Sequence, residues 1–367
     1  KTHGGDAFLD PRGAPDAFRL GVTALALRFA RPIVANAETH LRTKLTLEND
    51  GVRALRVNWR HDWRRDPPLG RALVVETASS DDGPTTDAEI SAVTETEETH
   101  NTEASASFSF VHECFFAAAR LFQHSLTTAT TRFEEASRYL RDRAAARATS
   151  SNDANDIEKR SASAAVARDA EYNAYADCAR AFLLEPSFAR DACGFALLQA
   201  EWLARLAATE DTDPAAARAA FAVVPEGFVK ATARWVCFVL RSGNAELLLT
   251  NGGGGGGLAS PSASSVKASS VRGASPGSTT TYPSTEVEPL SVASLVRMAC
   301  ELLSRPALCR HPTTAASLVE MLQCVLIGES GFAGGSGAGL GVRGSATHEL
   351  LVSSVLSSHE ARHCLAP

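Results

Sequence analysis

The stretch VHECFFAAARLFQHSLTTATTRFEEASRYL, residues 111–140, sets Val111, Phe115, Ala118, Phe122, Leu126, Ala129, Phe133, Ala136 and Leu140 at steps of four and three. That spacing places all nine on one face of a long helix, or of two abutting ones. Glu134, Glu135, Arg138, Arg141 and Asp142 fall between them, on the wet side. Thr127, Thr128, Thr130 and Thr131 are β-branched and predict a break within the run.

The same period recurs on both sides of this stretch. A helix is predicted from about Pro15 to Ala30, with Phe18, Val22, Leu25 and Phe29 as its inward stripe. Pro186 suits a first helical position, and Phe188, Ala192, Phe195, Leu198, Trp202 and Leu206 follow it at helical spacing. Asp213-Pro214 reads as a cap followed by a helix start. A further helix follows Pro225, with Phe228, Thr232, Trp235 and Val239 on one face and Gly243 just beyond its end as the C-terminal cap. Two more are predicted, from about Leu290 to Ser304 and after Pro312. Only Ala72–Val75 reads as a strand, and it is short. Helices joined by Pro- or Gly-marked turns, without a fixed repeat length, predict an all-α fold: an irregular armadillo-like helical solenoid.

Three stretches lack the apolar residues needed to pack. Ala78–Ser107 is Ser/Thr-rich and acidic, Asn251–Pro289 opens on six glycines, and Glu329–Ala346 is Gly/Ser-rich. They are read as long disordered insertions. The chain then divides into an N-terminal helical part (1–77), an acidic loop (78–107), helical core (108–250), a Gly/Ser loop (251–289), helical core (290–328), a Gly-rich loop (329–346) and the start of a further helix (347–367).

Composition narrows the function. The 36 Lys+Arg against 42 Asp+Glu leave a net charge of −6, which argues against a sequence-blind nucleic-acid binder. No apolar run reaches the roughly 18–20 residues of a membrane span. The chain opens on Lys1 and reads as a piece of a longer protein. Its eight cysteines form no CxxC pair and sit in apolar helical stretches, so they read as reduced thiols of a cytoplasmic and nuclear protein.

Three motifs could carry chemistry. His359-Glu360-Ala361-Arg362-His363 spells HExxH, which on a helix sets two imidazoles on one face. It needs a third ligand, and Arg362 puts a cation next to the would-be dication; it reads as surface helix. Gly339–Gly344 spells GxGxxG inside a low-complexity stretch without the strand and helix that fingerprint requires. His112 and Cys114 flank Glu113, but near neighbours on a helix do not face each other. The residues assign no catalytic, cofactor or metal site.

Four ordered blocks add a resemblance. They are Phe108-Ser-Phe-Val-His-Glu-Cys-Phe-Phe116; Phe182-Leu-Leu-Glu-Pro186 leading to Ala200-Glu-Trp-Leu-Ala-Arg-Leu206; Phe221-Ala-Val-Val-Pro-Glu-Gly-Phe-Val229; and Ser304-Arg-Pro306 with His311-Pro312 and Leu318-Val-Glu-Met-Leu322. In order and spacing they resemble the core of the ubiquitin conjugation factor E4 family, the U-box ligases that elongate ubiquitin chains. His112 and the run Ala315-Ala316-Ser317 depart from the family pattern.

The resemblance implies a ubiquitin-protein ligase in which this segment is scaffold. A C-terminal U-box, expected beyond Pro367, would recruit the conjugating enzyme. Implied partners are ubiquitin, ubiquitinated substrates bound for the proteasome, the conjugating enzyme, an AAA+ segregase (valosin-containing protein) and proteasome shuttle factors, with no nucleic acid and no membrane. The alternative is a non-catalytic α-solenoid adaptor.

Overall fold

A computed structural model of the chain describes residues 14–46, 109–149, 156–249, 290–328 and 346–358. The helices are α1 (Ala14–Ala35), α2 (Ala37–Thr43), α3 (Phe110–Leu121), α4 (Thr127–Thr149), α5 (Asp156–Leu183), α6 (Pro186–Ala208), α7 (Pro214–Phe221), α8 (Glu226–Arg241), α9 (Glu246–Leu249), α10 (Val292–Ser304), α11 (Pro312–Leu326) and α12 (Ala346–Ser357). No strand occurs among the described residues. The fold is all-α, consistent with a helical solenoid. The strand candidate 72–75 and the predicted loops 78–107 and 251–289 lie outside the described residues. So do 329–345 of the third loop, whose last residue, Ala346, already opens α12.

Local chemistry sets the boundaries. The Glu185 carboxylate accepts the Phe188 N–H at 2.6 Å, with Pro186 at the first helical position of α6. Asp213 caps α7 in the same way through the Ala216 N–H at 3.0 Å. α8 ends in a Schellman pair: the Asn244 N–H donates to the Val239 carbonyl at 3.1 Å and the Gly243 N–H to that of Leu240 at 3.0 Å. Gly243 sits there at φ 76°, the left-handed conformation such an end requires.

α6 lies at the centre, packed against α1, α5, α7, α8, α9 and α10. Every residue from Ala192 to Leu203 is buried, so this helix has no wet face. Beside it a run of aromatic rings crosses the core. Trp202 meets Phe115 edge-on at 5.3 Å, Phe115 meets Phe195 at 5.7 Å, and Phe195 meets Phe122 at 5.7 Å. Phe122 then meets Trp235 at 6.3 Å, Trp235 meets Phe238 at 5.4 Å, and Phe238 meets Phe133 edge-on at 5.5 Å. The sequence-predicted core residues Phe115, Phe122, Trp202 and Trp235 are all in this run.

Three expectations are corrected. First, the threonines do not break the long helix. The irregularity is one turn of π-helix at Phe122–Leu126, just before them. The Thr128, Thr130 and Thr131 hydroxyls turn back to the carbonyls of His124, Leu126 and Thr127, at 2.8, 2.7 and 2.6 Å. These three threonines thus satisfy themselves inside the helix, while the buried Thr127 hydroxyl has no hydrogen-bond partner among the described residues. The π turn carries Gln123 over Gly227 of α8, where a Cβ would lie 2.0 Å from the Gln123 amide nitrogen.

Second, α1 faces the other way. Leu20, Thr23, Leu27, Ala30 and Ile33 are its buried side, whereas Phe18, Leu25 and Phe29 are exposed. Its contact with α3 is too close for rings: the Thr23 hydroxyl reaches the Leu121 carbonyl at 3.4 Å, and Ser125 reaches that of Arg19 at 3.4 Å. Third, α5 falls within the helical core predicted at 108–250, but the sequence placed no individual helix there. Its long alanine-rich run has no apolar stripe, and polar ties hold it to α4. Asp169 accepts from Tyr139 at 3.0 Å and pairs with Arg147, while Tyr172 stacks on Tyr139 at 4.3 Å.

Two substitutions test this packing. Trp202→Ala removes a buried ring and its N–H bond to the Leu45 carbonyl at 3.1 Å. Urea denaturation should show a loss of about 3–5 kcal/mol; a loss below about 1 kcal/mol would mean that the ring is not buried. Gly227→Ala should cost about 1–3 kcal/mol by displacing Gln123. Gly227→Ala combined with Gln123→Ala should recover most of that cost, and equal additive losses would disprove the contact.

Candidate functional site

The buried polar side chains gather at a few joints between helices. In the first, Glu201 of α6 is almost fully buried and pairs with Arg297 of α10. It also accepts from Arg205 one turn on, at 2.7 Å. Arg205 forks to Glu38 of α2, which pairs in turn with Arg42. Five charges thus alternate in sign across three helices. The neighbouring Trp202 indole holds the Leu45 carbonyl, just after α2. Burial works against the Glu38 charge, but hydrogen bonds from Arg205 and Arg42 outweigh it and hold that carboxyl below its ordinary range.

The second joint is Glu226, buried at the N-terminus of α8. Its carboxylate meets Lys230, the Thr314 hydroxyl, the Thr313 hydroxyl at 3.3 Å and His311 Nδ1 at 3.1 Å. The helix N-terminus favours the same negative charge. Cys309 lies close by, so cysteine, histidine and carboxylate share one corner. The geometry does not make a nucleophile of it. Burial, reinforced by the Glu226 charge, pushes the Cys309 thiol up to about 11, and His311 Nδ1 is engaged by Glu226 and by Thr313 at 2.7 Å. A thiol protonated at neutral pH is a poor attacking group.

The third joint is His112. A carbonyl can only accept, so His112 Nε2–H donates to the Lys44 carbonyl. Nδ1 is then left to accept from the Ser109 hydroxyl at 3.0 Å. The ring ties the end of α2 to the start of α3. Burial, with the Glu113 charge second, raises the Cys114 thiol pKa as well. Cys193 is pushed up to about 12 by burial, and Cys237 rises through its bond to the Cys324 thiol and through burial. Two further joints are Arg241, between α8 and Glu320 of α11 at 2.7 Å, and Arg305, which reaches Asp211 at 2.8 Å.

The HExxH at 359–363 and the GxGxxG at 339–344 lie outside the described residues. Among the described residues no group of three or more His, Cys, Asp or Glu is placed to hold a metal ion, and no helix is long and apolar enough to cross a membrane. Sequence reasoning used Glu201, Trp202, Glu226 and Glu320 as landmarks within the quoted blocks and missed that each ties two helices together. For Glu201 and Glu226 a charge within a buried block was the available signal; Glu320 is exposed and gave none. Arg297 and His311 gave no sequence sign of their partners.

A family model described as the ubiquitin elongating factor core matches residues 12–360. No curated protein and no solved structure matches the chain.

The Glu38 joint predicts a pH dependence. Its folded value is depressed, so the stability it supplies is complete above the ordinary glutamate value of 4.5 and is lost as pH falls through the lower folded value. The stability difference between wild type and Glu38→Gln, measured by urea denaturation from pH 7 to pH 3, should therefore be largest near neutrality and shrink in acid. A difference independent of pH would show that the Glu38 charge carries none of it.

Proposed function

The chain belongs to the ubiquitin elongating factor core family, and from that premise we propose that it is the helical scaffold of an E4-type ubiquitin-protein ligase. In this reading the segment holds ubiquitin and a ubiquitinated substrate in place while a conjugating enzyme delivers the next ubiquitin. The conjugating enzyme docks on a U-box supplied outside residues 1–367. The product chains mark substrates for the proteasome, and the protein works in cytoplasm and nucleus beside an AAA+ segregase and shuttle factors.

The observation that carries the scaffold role is where the buried polar groups go. Glu201, Trp202, Glu226 and His112 each tie one helix to another or to the segment beside it. The thiols closest to histidines, Cys114 and Cys309, have raised pKa values. A ligase of this kind forms no covalent intermediate on itself; its rate gain comes from holding two reactants in geometry. Rigid joints are what that task requires. Buried free thiols such as Cys193 and Cys237 suit a reducing compartment.

The test is a reconstituted reaction with activating enzyme, conjugating enzyme and a ubiquitin-fused substrate. Residues 1–367 alone should extend no chains above the no-ligase control. The same segment joined to a U-box should extend them. Extension by the segment alone, abolished by Cys309→Ser or Cys114→Ser, would replace the scaffold reading with a cysteine mechanism. Failure of both proteins would leave the non-catalytic adaptor.

A further inference from the structure

α1 turns a large apolar stripe to solvent. Phe18 is 72% exposed, Leu25 53% and Phe29 56%, with Val22 half-buried between them. The spacing of four, three and four sets these residues on one face of about three turns, roughly 16 Å long. Apolar residues scattered singly on a surface are ordinary; four in register on one helix face are not.

From Ala17 onward the charged residues of α1 are all basic, after Asp16 near its start. Arg19 follows Phe18 and Arg28 precedes Phe29, so each lies about 100° around the helix from its ring, in opposite senses. Both are exposed, and the sequence from Ala17 to Ala35 contains no Asp or Glu. Arg19 has no ion-pair partner among the described residues. Arg28 lies near the exposed Glu185, whose carboxylate already caps α6. Arg31 is committed elsewhere: it grips Asp191 of α6 through two bonds, at 2.6 and 2.8 Å, and so fixes which way α1 faces.

We propose that this face docks an acidic amphipathic helix of a partner protein, apolar side chains against Phe18, Val22, Leu25 and Phe29 and carboxylates toward Arg19 and Arg28. This is the helix-on-helix mode of recognition, in which anchors at helical spacing give affinity and flanking charges give selectivity. Charge chooses among occupants. A second copy of this chain would bring Arg19 and Arg28 against their own counterparts, with only Glu185, which already caps α6, as a carboxylate beside them. A basic helix would meet the same repulsion.

The probe is a fluorescently labelled synthetic helix of about 18 residues, with leucines at i, i+3, i+4 and i+7 and glutamates flanking them; a second peptide carries lysines in place of the glutamates. Anisotropy should show the glutamate peptide binding at least about tenfold more tightly than the lysine peptide. Raising salt from about 0.05 to 0.3 M should weaken it. Phe18→Ser with Phe29→Ser should lower affinity at least about tenfold while the melting temperature stays within about two degrees, since both rings are exposed. Arg19→Glu with Arg28→Glu should reverse the preference toward the lysine peptide. Equal binding of the two peptides, or binding unchanged by both double variants, would overturn the proposal. So would sedimentation of the wild type as a dimer that the phenylalanine substitutions dissociate, because the occupant would then be a second copy.

Discussion

α6 has neighbours on every side, and that single constraint organises the rest. A helix buried all round must be apolar or small at nearly every position, and Ala192 to Ala204, all buried, obeys this with Ala, Leu, Phe, Gly and Cys. The polar residues it keeps then need partners inside the protein, because an unanswered polar group in the core costs more than its bond returns. Glu201 finds Arg297 and Arg205, the Gln199 amide donates to the Phe228 carbonyl at 3.0 Å, and Trp202 holds Leu45. These bonds run to α10, α8 and the residues just after α2 in turn. The polar exceptions on the central helix thus dictate where its neighbours sit.

The aromatic run adds shape to that arrangement. Phe115, Phe122 and Phe133 come from the continuous α3–π–α4 helix, while Phe195, Trp202, Trp235 and Phe238 come from α6 and α8. Rings that meet edge-on are directional in a way aliphatic contacts are not. A slip of one residue in the long helix would unseat three rings at once. The π turn sits within this contact, and Gly227 gives Gln123 the room that the turn's extra width demands. Ion pairs fix which helices meet, and rings fix their register.

Much of this was legible in the sequence because local signals and global packing agree. Pro186, Asp213-Pro214, Pro225, Gly243 and Pro312 mark real helix ends, since each acts through backbone geometry that tertiary contacts do not change. The 111–140 stripe reads correctly for Phe115, Phe122, Leu126 and Phe133, but Phe116 beside it is buried too, and Glu134, read as wet, is largely buried near Arg241. α5 was invisible as an individual helix: alanine gives it propensity but no stripe, and Asp169 and Tyr172 anchor it through partners that lie about 30 residues away in sequence. The joints were half legible. A Glu in an apolar block announces that something must neutralise it, but it does not say which arginine.

α1 misled for a physical reason that bears on its role. Its most hydrophobic face, ranked by residue, is Phe18, Val22, Leu25 and Phe29, and a periodicity argument turns that face inward. Packing follows fit rather than hydrophobicity alone. The helices approach closely enough for Thr23 to reach the Leu121 carbonyl and Ser125 of the π turn to reach that of Arg19, so the narrow side of α1, with Thr23, Leu27 and Ala30, is the buried one. Arg31 locks the choice by clamping Asp191. Once α1 is held this way, its buried contacts are complete without the aromatic face. The fold therefore gives positions 18, 25 and 29 no reason to be large and apolar. Exposed phenylalanine and leucine there are the residues on which the proposed docking of a partner helix rests.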